Sequence, residues 1–211
     1  MLESGNFVDI RFQEEPRYKK PAGTYWLQAA SVNLLSPSKL KEIWLYRIPS
    51  LLAAIIAVIG TYFLANVFLR PPGGIIAAII LSSTPLLIGE AHMAKSDALL
   101  LASVVIAQFG LIRTYRNHVS WLNWLCLWGG IGFGVMIKGP VTPLVIFLTV
   151  LVVSIIDREV KWVLKLRPLS GFSLVACICL PWIISIQIQS SGEFLQSSLG
   201  QDLLPKLLSG V

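Results

Sequence analysis

The chain has 211 residues, of which 55% are apolar and 13% charged, and its mean hydropathy is +0.73. That balance excludes a soluble globular domain and reads as an integral membrane protein. The net charge of +6 has no soluble basic face to act through. Nucleic acid is therefore excluded as a partner, and anionic membrane lipid is left.

Met1–Asn6 holds an acid and no cationic start, and no short apolar core follows it, so no cleavable signal peptide is expected. Next comes Glu15-Pro16-Arg17-Tyr18-Lys19-Lys20-Pro21, which leads into Tyr25-Trp26-Leu27. The plain reading is a basic anchor on headgroups, with Tyr18, Tyr25 and Trp26 as an aromatic belt. The sharper reading is a grip on a lipid phosphate, because Pro16 and Pro21 define the loop more than an anchor requires. Tyr25–Leu35, largely apolar with Gln28, Ser31 and Asn33, reads as a short interfacial helix rather than a span.

A bilayer core takes about 17–25 apolar residues per helix. On that measure about six spans follow: Ile48–Leu69, Gly74–Ile88, Ala98–Ile112, Trp121–Ile137, Val141–Ile156 and Leu169–Ile188. The fold class is all-α, a polytopic transmembrane bundle. It divides into an extracytoplasmic loop over 1–42, the bundle over 43–188 and an extracytoplasmic tail over 189–211. In the tail Leu195, Leu199, Leu203 and Leu207 recur at helical spacing, so it reads as amphipathic, with a kink at Pro205. Arg70-Pro71-Pro72-Gly73-Gly74 and Lys138-Gly139-Pro140 read as turns.

The links after the first, third and fifth spans carry Arg70, Arg113, Arg116, Arg158, Lys161, Lys165 and Arg167, against Lys95, Lys138 and Lys206 on the other side. The positive-inside rule makes the first set cytoplasmic. Nine of the eleven acids, all but Asp157 and Glu159, then lie outside. So does the basic N-terminal segment, which would have to cross the membrane unaided. A helix upstream of Met1 reconciles this, and the chain is expected to be a fragment of a longer membrane protein.

Four positions invite chemistry. Asp97 opens a span, where a carboxylate is costly unless hydrated, paired or bound to a cation; it also suits a first helical turn, and Ser96 or Asp97 suits a cap. Glu90 and His92, with Asp97, offer oxygen and nitrogen donors to a divalent metal, although their spacing matches no strong metal motif. Lys138, in the K-G-P turn, either snorkels to headgroups or meets a phosphate as a point charge. Gly129-Gly130-Ile131-Gly132-Phe133-Gly134 lacks the dinucleotide order and the preceding strand. Gly130 and Gly134 instead make a close-packing helix face. Cys126, Cys177 and Cys179 lie inside apolar spans and read as small fillers.

The order Arg17-Tyr18-Lys19-Lys20-Pro21 with Tyr25-Trp26, then Asp97-Ala98-Leu99-Leu100, then Lys138-Gly139-Pro140 resembles the R-Y-x-K-P…Y-W, D-A-x-L and T-K-G-P signatures of polyprenyl-phosphate-dependent membrane glycosyltransferases. That is the aminoarabinose lipid A transferase and protein O-mannosyltransferase-like superfamily with the GT-C fold, and its bacterial lipid A branch most of all. Met1–Val8 also resembles the family's M-x-x-x-G-D-W-V stretch, with Asn6 at the acid. The resemblance spans the chain but only part of a family member.

It implies a sugar moved from a polyprenyl phosphate to a lipid A-like or other cell-envelope acceptor, at the outer face of the bacterial inner membrane. It places Lys20 on the lipid phosphate with Arg17 and Tyr18 beside it, Lys138 facing the same cavity, and Asp97 at a divalent metal. The expected catalytic Asp lies upstream of Met1, so the catalytic residue is unknown here. This polypeptide is expected to be inactive alone, with the remainder of the enzyme as a partner. Aminoarabinose enzymes carry a Glu before the phosphate lysine, where this chain has Lys19; the departure weighs against both the metal and aminoarabinose. The rival classes are a small transporter or channel using Asp97 and Lys138, and a non-catalytic assembly partner.

Overall fold

The structure is a computed structural model and describes residues 1–2, 4–12, 15–16, 20–36, 40–190 and 194. Arg17, Tyr18 and Lys19, and the expected amphipathic tail apart from its first two residues and Phe194, lie outside that set. Two short strands, β1 (Arg11–Phe12) and β2 (Glu15–Pro16), pair antiparallel before the first helix. The regular elements described after them are helices: α1 (Gly23–Leu35), α2 (Ile43–Ala65), α3 (Gly73–Ser82), α4 (Pro85–Ala91), α5 (Asp97–Tyr115), α6 (Trp121–Lys138), α7 (Val141–Asp157) and α8 (Pro168–Gln189). A six-residue 3-10 helix, Lys161–Leu166, links α7 to α8.

The all-α expectation holds. By length and composition α2, α5 and α8 are each able to cross a membrane, and α3 and α4 make a fourth crossing if taken together. α6 and α7 are apolar neighbours of 18 and 17 residues. The first span is displaced: its helix runs Ile43–Ala65 rather than Ile48–Leu69.

The second expected span is not one helix. Gly74–Ile88 is broken at Ser83 and Thr84, and the two pieces meet at 63°. Pro85 is the cause. It has no N–H to give, and it pushes the residue before it out of the helical region. Thr84 accordingly sits at φ −67°, ψ 121°, and its hydroxyl turns back to the Ile80 carbonyl at 2.9 Å.

α5 is the centre of the bundle and packs on α6, α2 and α7. α5 and α7 run parallel, stitched at three levels: Ser103 to Thr142 at 3.1 Å, Gln108 to Thr149 at 2.8 Å and Tyr115 to Asp157 at 2.5 Å. In lipid such hydroxyl and amide contacts, together with small residues, hold helices that burial alone does not. Gly130 and Gly134 form the expected packing face of α6. A Cβ on Gly130 would meet the Ser103 carbonyl at 2.9 Å, and one on Gly134 would collide with Thr142.

α1 is short, as expected, and lies on α2 and α6. Pro49 inside α2 leaves the Leu45 carbonyl without its helical donor. The Ser31 hydroxyl of α1 donates to that carbonyl at 2.6 Å. The helix defect in α2 is thus the docking point for α1.

Candidate functional site

α1 begins where it does because Gly23 lies directly on the backbone of Met136, so close that a Cβ would meet the Met136 carbonyl carbon at 2.8 Å. That contact seats the loop before α1 beside the C-terminal end of α6. The α6 helix stops at Gly139, whose φ of 66° and ψ of −134° suit glycine alone. Lys138 is therefore the last helical residue and stands at the rim of the bundle.

The third participant is the N-terminal end of α5, preceded by the loop His92–Ser96. Three side chains, from α1, α2 and the segment before α1, fix that loop. Gln28 of α1 donates to the Ala94 carbonyl at 3.2 Å, Ser50 of α2 donates to the Lys95 carbonyl at 2.9 Å, and Lys20 donates to the Ser96 hydroxyl at 3.3 Å. Ser50 and Ser96 are both almost fully buried.

Lys138 and Asp97 form an ion pair through Nζ and Oδ1, each side chain a little over a third exposed. Lys20 and Lys138, 118 positions apart in sequence, thus hold two consecutive residues, Ser96 and Asp97. Two ammonium groups and one carboxylate leave one net positive charge at the N-terminal end of a long helix, where the backbone adds further positive potential. The arrangement suits an anion better than a cation.

The expected residues divide as follows. Lys20, Asp97 and Lys138 are brought together. Glu90 is not: it pairs with Lys95 at 3.4 Å, and its other oxygen is buried without a hydrogen-bond partner. His92 bonds the Ile88 carbonyl at 2.7 Å, closing its own helical turn. Arg17 and Tyr18 lie outside the described residues. Ser96 is no side-chain cap, nor is Asp97, which is the first helical residue; the Ser96 hydroxyl accepts from Lys20 instead.

The divalent metal that the resemblance implies needs several hard oxygen or nitrogen donors. Among the described residues no group of three His, Cys, Asp or Glu gathers to offer them, and Asp97 already faces an ammonium. These residues do not fit the ion.

The N-terminal segment is tied to the same end. Asn6 Oδ1 accepts from the Val8 and Asp9 N–H groups at 3.0 Å each, and the Trp26 indole donates to the Phe7 carbonyl at 2.7 Å. Asn6, at the position of the family's acid, organises a turn. Sequence reasoning missed Ser50 and Gln28, which carry no charge and show their role only through the loop carbonyls they reach.

Comparison with known proteins gives the family and the fold. Residues 19–184 match the family model described as dolichyl-phosphate-mannose-protein mannosyltransferase. Two crystal structures of ArnT from Cupriavidus metallidurans share the fold at 17% identity. The apo form aligns with a TM-score of 0.86 over 96% of this chain, and the form bound to undecaprenyl phosphate with 0.88 over 97%. This chain covers 37% and 38% of those two chains. No curated protein sequence matches it significantly. With the family match reaching from Lys19 to the last third of α8, the chain belongs to the dolichyl-phosphate-mannose-protein mannosyltransferase family of membrane glycosyltransferases, and it carries an ArnT-like fold.

Proposed function

We propose that the chain grips the phosphate of a polyprenyl-phosphate sugar and provides the leaving-group side of an inverting glycosyl transfer. One observation carries the reading: Lys20 and Lys138 meet on adjacent residues at one end of the bundle. Membership of a family named for transfer from a lipid-phosphate mannose supports it, as does the binding of undecaprenyl phosphate by an enzyme of the same fold.

In the transfer, an acceptor hydroxyl or phosphate oxygen attacks the sugar C1 and gives its proton to a carboxylate base. The bond from C1 to the phosphate oxygen breaks, and its electron pair leaves with the polyprenyl phosphate. Lys20 and Lys138 meet the charge that develops on that oxygen. Asp97 holds the Lys138 ammonium in place and, being committed to that pair, is not the base. The base is expected upstream of Met1, so these 211 residues bind donor without turning it over. The acceptor is a lipid A-like or other cell-envelope molecule at the extracytoplasmic face of the bacterial inner membrane. Lys19 argues for a donor sugar other than aminoarabinose.

The test uses the 211-residue chain in detergent or nanodiscs. Undecaprenyl phosphate should bind saturably, and substituting Lys20→Ala together with Lys138→Ala should weaken binding by at least about tenfold, the worth of a charge-assisted hydrogen bond. Labelled polyprenyl-phosphate sugar should give no product. Absence of lipid-phosphate binding overturns the reading, and robust transfer overturns the upstream base.

A second reading, transport, draws on the break between α3 and α4, since broken helices mark transporter sites. Pro85 accounts for that break locally. Solute flux into liposomes holding the chain alone would favour the transporter.

A further inference from the structure

The end of the bundle opposite Lys20 and Asp97 holds a second, unassigned cationic pocket. It lies where the C-terminal end of α5, the N-terminal ends of α6 and α8, and the 3-10 helix meet. Its volume is about 130 Å³, and Thr114, Ser120, Trp121, Trp124, Lys165 and Arg167 are among the residues that line it. One water needs only about 10–15 Å³, so the space admits a tetrahedral oxyanion with its nearest substituent.

The pocket is built rather than incidental. Trp162 and Leu166 of the 3-10 helix are buried in the main core with Trp128, and the Trp128 indole donates to the Leu166 carbonyl at 2.8 Å. Leu166 is thereby fixed between the two cations that flank it in sequence, Lys165 and Arg167. Ser120 caps α6 by accepting from the Asn123 N–H at 3.2 Å, which fixes the opposite wall.

Three donors there lack an anionic partner. Lys165 meets only the neutral Asn117 amide oxygen, at 2.7 Å. Arg167 takes part in no ion pair among the described residues. The Trp124 indole N–H is buried with no acceptor. None of the described residues that line the pocket is acidic. Two exposed cations at its mouth, an orphan N–H in its wall and a partly open recess without a carboxylate describe a receptor for a negatively charged oxygen group.

The geometry points to a phosphate-binding site between Lys165, Arg167 and Trp124, with a phosphate ester of an anionic phospholipid headgroup or a soluble phosphate as its ligand. It is separate from the lipid-phosphate grip at the other end, and it stands whether or not that grip does.

The test takes the whole chain in a non-ionic detergent and follows melting temperature and titration heat. The probes are short-chain phosphatidylglycerol, short-chain phosphatidylcholine and inorganic phosphate. Phosphatidylglycerol should bind saturably and raise the melting temperature, and the zwitterionic lipid should bind at least about tenfold more weakly, as loss of charge complementarity predicts. Saturation by inorganic phosphate at the same residues would identify the soluble source. The double variant Lys165→Gln, Arg167→Gln should lose at least about tenfold in affinity for whichever probe binds. The double variant Arg158→Gln, Lys161→Gln, on the same face but outside the pocket, should keep it. Trp124→Phe preserves the ring and removes the N–H, so it should weaken binding severalfold, and it decides the matter if the double variant does not fold. Failure of all three probes to saturate the wild-type chain, or wild-type affinity in the Lys165/Arg167 variant, overturns the site.

Discussion

Asp97 stands in the first turn of α5, where the helix dipole favours a negative charge by about 0.3–1 kcal/mol. Its pairing with Lys138 adds little stability, since exposed ion pairs contribute about 0–1 kcal/mol. What the pair does is place an ammonium next to the Ser96–Lys20 contact. Removing Lys138 leaves a lone carboxylate facing the incoming phosphate, whereas removing the Asp97 charge does not. Lys138→Ala should therefore weaken undecaprenyl phosphate binding by at least about tenfold and by more than Lys20→Ala, while Asp97→Asn stays within a few fold. The double variant Lys138→Ala, Asp97→Asn should recover part of the loss, a coupling of about 0.5–3 kcal/mol if the two act as a unit. Additive losses in a binding titration would show that they do not. Because Asp97 faces a lysine and Glu90 another, a chelator should leave donor binding unchanged, and a divalent-dependent affinity would contradict the pairing. Lys20, Asp97 and Lys138 were legible in the sequence because charges beside apolar spans are expensive and stand out. The Ser96 hydroxyl was not, since a serine before a helix reads first as a cap. Glu90 was grouped with Asp97 by spacing, which gives no direction in a loop, and in the structure it pairs with the nearer Lys95.

Two prolines show what the apolar pattern hides at the scale of the helix. Hydropathy reads straight through Gly74–Ile88, and only Ser82-Ser83-Thr84-Pro85, a hydroxyl run ending in a helix breaker, marks the 63° bend. Pro49 is the opposite case: it lies within α2 without ending it, because Ser31 takes up the carbonyl it orphans. Nothing local to Pro49 announces Ser31, which lies on another helix. Ser31→Ala should leave the Leu45 carbonyl unsatisfied in a fully buried setting and cost about 1–3 kcal/mol, read as a fall in the melting temperature of the purified chain. The glycines of α6 were legible as a packing face but not in their partners. Gly134→Ala would drive a methyl into Thr142 and Ser103, which bond each other, so a loss of about 1–3 kcal/mol is expected from overpacking. Gly139→Ala meets no atom within 4 Å. Its cost comes from the backbone alone, about 1–3 kcal/mol for an L-residue held at that φ and ψ. The two variants separate steric from conformational loss: trimming Thr142 to Ala, which removes the Oγ1 that the new methyl would meet, should partly rescue Gly134→Ala and leave Gly139→Ala as it was.

At the scale of the whole molecule, two groups of charged residues with their partners lie at opposite ends of the bundle. Lys20, Ser96, Asp97 and Lys138 lie at one, and Asp157, Lys165, Arg167 and the capped start of α6 lie at the other. α5 joins them with 19 residues, about 28 Å at 1.5 Å per residue, close to the roughly 30 Å of a bilayer core. The two ends should therefore face opposite sides of the membrane, and the positive-inside rule predicts the Lys165 end on the cytoplasmic side. Single cysteines at exposed loop positions next to each end test this. Ala94→Cys lies in the loop held by Gln28, and His118→Cys lies in the link between α5 and α6. Cys126, Cys177 and Cys179 all lie within α6 and α8, so the unsubstituted chain sets the background for a membrane-impermeant maleimide. In intact spheroplasts Ala94→Cys should label and His118→Cys should not; after permeabilisation both should. Labelling of both before permeabilisation, or the reverse order, would remove the basis for an outward-facing phosphate grip. It would do so even if Lys20 and Lys138 bind the lipid phosphate as proposed, because a donor gripped on the wrong side cannot meet a cell-envelope acceptor.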